Sequence, residues 1–450
     1  MDAHPGNRIL QRRMTRRDFL WLMSAASAGA VVVPQLQGCA TDPVTGQQRL
    51  MLMSEQEEIN IDRQHSPHQF SNDFGLLRDD RVNRYVSEVG TSVAEVSHRP
   101  HMPYSHNVVN ANYINAYTFP GGTMACTRGI MVEMEDEAQL AALLGHETGH
   151  VNARHTARRQ TTGLLASLAL GGLGIAAAQS EQLSGYSNLI YAVSAVGATA
   201  LLAHYSRQNE READDLGLQY MAEAGQNPQG MVDLMDMLRS MSDRQPNALE
   251  TMFSTHPMSQ ERFDTAQREA RSRHGDAMGR NVRRERYMDN TRDLRRIKPA
   301  IKEMQAGEER LAREQPRQAE EHFAKALRQV PDDYPGLVLM SKAKSAQGQH
   351  QEARRYLEQA RAAYPEEGQA VHLSGINQLA LNRPDAALDH FQQYERMLPG
   401  NPNTIFLKGV AHEGMQNRQA AAREYQRFVQ QVGTQTPQGR FAAQRLEAWQ

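Results

Sequence analysis

Cysteine is nearly absent from this chain: Cys39 and Cys126 are its only two in 450 residues. Cys39 closes Leu36-Gln37-Gly38-Cys39, which reads as a bacterial lipidation motif with cleavage before the cysteine. Lipid on its sulfur leaves Cys126 alone and excludes an internal disulfide. Cys126 sits in the strand-like run Thr123-Met124-Ala125-Cys126-Thr127, the setting of an inert packing thiol. Charge of one sign is also lacking. Fifty Lys/Arg against 52 Asp/Glu leave a net charge of -2, which gives no electrostatic footprint for nucleic acid. Aromatics are only 6% while methionine reaches 22, a balance that suits a helical protein with adaptable packing. Within the body of the chain, residues 164–178 and 189–203 are apolar and rich in Gly and Ala. Each falls short of the ~20 residues that cross a bilayer. They predict a helical hairpin packed on its domain, with a lid over a cleft or a membrane contact as further uses.

The N-terminal 39 residues read as a leader. Arg8, Arg12, Arg13, Arg16 and Arg17 precede a small, apolar stretch. Thr15-Arg16-Arg17-Asp18-Phe19-Leu20 carries a twin-arginine export pair. An uncleaved anchor helix is the alternative, and the small residues and Pro34 speak against it. The expectation is a twin-arginine lipoprotein signal, lipid on Cys39 and a periplasmic location. Ala40 supplies no acidic residue after Cys39, which favours the outer membrane over the inner.

Chemistry concentrates at His146-Glu147-Thr148-Gly149-His150. The run before it, Glu137 to Leu144, is rich in helix formers. Residues four apart share a helix face, so both imidazoles can address one metal ion. Glu147 stands beside them as a general base, the arrangement of a zinc peptidase. Zinc needs a third protein ligand. Ser206 to Asp214 offers Glu210 and Asp214, again four apart. One carboxylate would bind the metal and the other would orient a ligating histidine. An oxyanion partner is also required, and Arg207, His204 and Tyr205 are the candidates nearest to Glu210.

His146-Glu147-x-x-His150 followed by Glu210-x-x-Ala213-Asp214 resembles the zinc metallopeptidases that include HtpX and the CAAX prenyl protease. More narrowly it resembles their periplasmic BepA-like branch. Asn115 to Gly122, Thr127-Arg128-Gly129 and Thr255-His256-Pro257 match further segments of that family, as do Asp42-Pro43-Val44-Thr45-Gly46 and Leu50 to Ser54. The resemblance covers most of residues 40 to 270. It implies one zinc ion held by His146, His150 and Glu210, with Glu147 as general base and Asp214 behind the ligands. It also implies that His256 can approach the metal as a fourth ligand and hold the enzyme latent. A loop histidine with a local structural role is the other reading of His256.

Ser54 and Glu57 are spaced as a capping box, and a helical pattern runs from there through the 90s. His98 to Pro103 reads as a loop. Tyr104–Asn112, Ile114–Phe119 and Thr123–Met131 read as strands, with Pro120-Gly121-Gly122 as a turn. Part of Asn115 to Phe119 is a candidate strand for pairing with an extended substrate. Residues 271–300 hold ten Lys/Arg against four Asp/Glu and read as a basic, solvated linker helix. Beyond 300 the chain repeats every 34 residues. Ala319, Ala353, Ala387 and Ala421 are each followed by a large residue: Phe323, Leu357, Phe391 and Tyr425. Gly307, Ser341, Gly375 and Gly409 precede those alanines, and Pro331, Pro365 and Pro399 follow the first three. This is the tetratricopeptide period, repeated about four times. Such arrays stack into a superhelix that binds peptides or proteins.

The expected fold is mainly α with some β: a zincin-type metallopeptidase domain with a small sheet over 40–270, the linker, and an all-α repeat superhelix over 301–450. The expected function is a lipid-anchored zinc endopeptidase of the bacterial envelope. The BepA-like resemblance implies clients among outer-membrane proteins, presented by the repeats. The alternative is an assembly chaperone whose protease is latent.

Overall fold

A computed structural model describes residues 39–169, 205–244 and 249–449. The leader up to residue 38, most of the apolar 164–203 segment and His204 lie outside the described residues. Among the described residues the chain is mainly helical with a small three-stranded sheet, as expected, and it carries a further two-stranded sheet at 39–50.

Strands β1 (Cys39–Thr41) and β2 (Gln48–Leu50) form an antiparallel hairpin. Asp42 is buried at its turn and accepts the Val44 and Thr45 N–H groups. Helix α1 (Glu55–Asn72) opens with the expected capping box of Ser54 and Glu57. The single helical run expected from there breaks after Asn72. Phe74 and Gly75 take positive φ (64° and 77°), and Asp79 caps a separate helix α2 (Asp80–Ala94). Strands β3 (Ser105–Val109), β4 (Ala116–Thr118) and β5 (Thr123–Thr127) follow. Their order is β3-β5-β4, with β3 parallel and β4 antiparallel to β5. The third strand is shorter than expected. Thr127 accepts the Ile130 N–H and caps a helical turn, α3 (Arg128–Met131).

Helix α4 (Glu137–Asn152) is buried along its whole length. Helix α5 (His155–Ala169) leaves it at a sharp corner. Helices α6 (Arg207–Glu223), α7 (Gln229–Arg244), α8 (Glu250–Thr255) and α9 (Gln260–Arg273) complete the packing around α4. The core joins Val82, Val86 and Val89 of α2, Ile114 and Cys126 of the sheet region, Leu140 to Leu144 of α4 and Leu216 of α6. Helices α4 and α6 pack at backbone contact. A Cβ on Gly149 would lie 2.9 Å from the Ala213 carbonyl oxygen, and one on Gly217 would lie 2.7 Å from the His146 nitrogen. Glycine at these positions lets the two helices touch.

The basic stretch is helical and mostly solvent-exposed, but one of its faces is packed. Helix α10 (Arg284–Arg296) buries Tyr287, Thr291 and Leu294. Arg283 and Arg286 clamp the buried Glu137 at 2.7 and 2.8 Å. Both arginines stay at the surface and reach in to the buried carboxylate at the head of α4, a partner invisible to local composition.

The repeats pair helices α11 (Lys298–Ala312) with α12 (Pro316–Gln329), α13 (Tyr334–Ala346) with α14 (His350–Ala363), α15 (Gly368–Ala380) with α16 (Pro384–Met397), and α17 (Pro402–Gly414) with α18 (Arg418–Val432). Helix α19 (Pro437–Ala448) covers the last pair. The array is docked on the rest of the chain. Arg128 forks onto Asp333 at 2.6 and 3.1 Å, with both side chains buried. Phe74 enters the core of the first repeats. His68 meets the Pro399 carbonyl, and Gln369 donates to the Asn72 carbonyl. Among the described residues no helix is long and apolar enough to cross a membrane.

Candidate metal centre

The ends of three helices, α4, α6 and α8, deliver the candidate ligands. Asp136 caps α4 by accepting the Gln139 N–H, and His146 and His150 follow one turn apart near its other end. Ser206 caps α6 in a box with Asn209, which sets Glu210 in the first turn. His256 is the C-cap of α8, its N–H bound to the Met252 carbonyl. All four side chains are buried.

Their donor atoms lie within 4.8 Å of one another. His146 Nε2 is 3.1 Å from His150 Nε2 and 3.3 Å from His256 Nδ1. Glu210 Oε1 stands 3.2 Å from His256 Nδ1 and 3.4 Å from His150 Nε2. Donors bound tetrahedrally at about 2.0–2.1 Å are separated by about 3.3 Å. The four residues therefore fit a zinc ion in both chemistry and spacing.

The outward edges of the rings are also held. His146 Nδ1 meets Asp214 Oδ1 at 2.9 Å. Asp214 receives a fork from Arg262, at 2.7 Å for both bonds. Another Arg262 nitrogen lies 2.8 Å from Glu210. Burial works to raise the Asp214 carboxyl, but Arg262 and His146 outweigh it and hold it below its ordinary value. His150 Nδ1 lies 2.9 Å from His155 Nδ1, and Tyr205 stacks on the His150 ring with centroids 3.8 Å apart.

Glu147 is buried, and among the described residues its Oε2 has no hydrogen-bond partner. Its other oxygen lies 3.7 Å from His256 Nε2. Burial raises the Glu147 carboxyl against the lowering pull of His256 and His146. A carboxylate so placed holds a proton more firmly than one in water, which suits proton transfer. His256 is buried too, and the facing Glu210 and Glu147 carboxylates lift it above its ordinary value despite that burial.

The structure thus brings His146, His150, Glu210 and His256 together, with Glu147 beside them and Asp214 behind. Of the three oxyanion candidates, Tyr205 lies against the cluster, Arg207 is exposed at the first turn of α6, and His204 is outside the described residues. Cys39 begins β1, far from this chemistry in sequence. Arg262, His155 and Glu212 were not singled out by sequence. Arg262 reaches Asp214 across 48 residues, and no local spacing announces such a contact.

Residues 80–270 match the model of Peptidase family M48, and residues 310–374 match a tetratricopeptide repeat model. A putative beta-barrel assembly-enhancing protease of Vibrio cholerae serotype O1 is 30% identical over 206 residues, which is 44% of this chain and 40% of that protein. The beta-barrel assembly-enhancing protease of Escherichia coli K12 is 26% identical over 200 residues, 43% of this chain and 40% of that one. The mitochondrial metalloendopeptidase OMA1 of Schizosaccharomyces pombe is 33% identical over 179 residues, 40% of this chain and 50% of that protein. The matches thus span about two fifths to half the length of these relatives.

Proposed function

We propose that this chain, a family M48 peptidase domain joined to tetratricopeptide repeats, is a zinc-dependent endopeptidase of the bacterial envelope. The observation that carries the reading is the convergence of His146, His150 and Glu210 with Glu147 beside them. Zinc held by these three ligands would polarise the scissile carbonyl and acidify the attacking water. Glu147 takes the proton of that water and returns it to the leaving amine. Asp214 and Arg262 keep His146 and Glu210 aimed inward. Tyr205, which stacks on His150, would be the group that stabilises the charge developing on the carbonyl oxygen.

The substrate would lie along β4. That strand is at the edge of its sheet, and Asn115 and Phe119 bond to β5. By antiparallel alternation, Ala116 and Thr118 present their backbone groups to the opposite side. The residues of β4 are buried, so an extended segment would pair there once that edge is uncovered. The repeats would bring the client. A cavity of about 400 Å³ lies between α1 and the repeat helices, lined by His68, Lys342, Gln369, His372, Tyr394 and Asn403 among others. The names of the bacterial relatives suggest clients among outer-membrane β-barrel proteins. The leader and Cys39 support export and a lipid anchor, with the outer membrane favoured. The site test is Glu147→Gln on casein, with cleavage expected to fall 10²-fold or more. Undiminished cleavage by the variant removes the mechanism.

One observation favours a second reading, an assembly chaperone with a latent protease. His256 Nδ1 lies 3.3 Å from His146 Nε2 and 3.2 Å from Glu210 Oε1, where it would take the fourth position that a catalytic zinc keeps for water. If His256 is the latch, His256→Ala raises cleavage. If the chaperone role dominates, Glu147→Gln still restores envelope assembly in cells lacking the protein, whereas failure to restore it assigns the work to the peptidase.

A further inference from the structure

His155 and Glu212 take no part in the chemistry above, yet they finish the metal centre on its far side. His150 turns Nε2 toward the donor cluster, 3.4 Å from Glu210 and 3.1 Å from His146. A ring that offers Nε2 to a metal carries its hydrogen on Nδ1. That Nδ1 lies 2.9 Å from Nδ1 of His155, which must then be the acceptor. The hydrogen of His155 is therefore on Nε2, and Nε2 lies 3.1 Å from Glu212 Oε2. A single proton order satisfies every contact: Glu212 accepts from His155, and His155 accepts from His150. His146 reaches a carboxylate in one step, through Asp214 at 2.9 Å. His150 reaches one in two.

The fold builds this arrangement on purpose-shaped backbone. Arg154 takes a left-handed conformation, φ 53°, which costs energy in a residue with a Cβ. It ends the turn after α4 and starts α5 at His155, folding that imidazole back toward His150. The Arg154 side chain is locked on Glu58 at 3.0 Å and on the Met53 carbonyl at 2.7 Å. Glu212 is fixed in turn by Arg158 at 2.9 Å, and Arg158 also grips the buried Asp42 at 2.5 Å. The supporting chain thus runs from the β1–β2 hairpin to the ligand.

We propose that His155 is a positioning residue for His150. Held by Glu212 as the Nε2–H tautomer, it accepts the His150 Nδ1–H, fixes that ring and strengthens its Nε2 as a metal donor. The proposal rests on the reading of His146, His150 and Glu210 as zinc ligands.

The test is zinc affinity of the full metal-depleted chain, measured by competition with a chromogenic chelator, beside the melting temperature of each metal-free form. His155→Ala removes the acceptor and is expected to weaken zinc about 10- to 100-fold. In His155→Asn the side-chain oxygen takes the place of Nδ1 and accepts the same hydrogen, so affinity returns to within a few-fold of the unaltered chain. A structural role would lower both metal-free melting temperatures and leave the zinc affinities alike. His155→Ala binding zinc as tightly as the unaltered chain overturns the proposal, as does His155→Asn binding no better than His155→Ala. If the unaltered chain takes up no zinc, or still takes up one after His146→Ala, the metal centre itself is misread and the proposal falls with it.

Discussion

Replacing Arg128 by methionine should loosen the repeats from the domain that carries the candidate metal centre. Arg128 and Asp333 are 2% and 6% exposed at their side chains, so water screens neither. The guanidinium forks onto both carboxylate oxygens and also donates twice to Asn112 Oδ1. Asp333 has a second task, accepting the Gly336 N–H as the cap of α13. Removing one member of such a pair leaves a buried charge alone, which costs about 3–5 kcal/mol. Arg128→Met strands Asp333, and Asp333→Asn strands Arg128 while keeping the cap. Both changes together remove both charges and are expected to cost about 2–3 kcal/mol less than the two single costs added. Urea unfolding measures this with two probes. Trp449 is the one tryptophan among the described residues and stacks on Tyr425, so its emission reports the repeats. Far-UV circular dichroism reports the whole chain. The coupling should survive high salt, because a buried pair is little screened. Additivity of the two costs within about 0.5 kcal/mol would refute the claim that this pair fastens the two parts.

Two further outcomes follow from particular contacts. Glu308 of α11 accepts a hydrogen bond from Asn112 at 3.1 Å, and burial pushes its carboxyl up to about 7 against the pull of Lys342 and Arg128. A carboxyl raised on folding contributes fully below its unfolded value and loses that contribution as pH climbs through the folded one. Glu308→Gln should therefore stabilise the chain by about 2 kcal/mol at pH 8, allowing for partial exposure, and change little at pH 4; equal effects in urea titrations at both pH values would contradict it. At Gly375 a Cβ would lie 2.4 Å from the Phe391 ring, so Gly375→Ala should cost about 1–3 kcal/mol by overpacking. Adding Phe391→Leu should recover part of that loss in thermal melts, as the native pairing of Ser341 with Leu357 one repeat earlier suggests.

What the amino-acid order determined unaided is local or periodic. Four-residue spacing put His146 with His150 and Glu210 with Asp214 on common helix faces. Ser54 and Glu57 announced a capping box that the fold forms. The 34-residue period placed Gly307, Gly375 and Gly409 against Phe323, Phe391 and Tyr425, and each such glycine meets its ring. Tertiary packing decided the rest. It broke the first long helix at Phe74 and Gly75, and it turned the basic segment onto Glu137. It brought His256 into the donor cluster from 110 residues beyond His146. It also set Arg262 against Asp214, His155 against His150 and Glu212 against His155. The reason is range. Helix geometry is set by neighbours within a turn, whereas the partner of a buried charge or a ring nitrogen is set by which helices meet. Here that meeting depends on Gly149, Gly217 and Ala213 letting α4 and α6 touch.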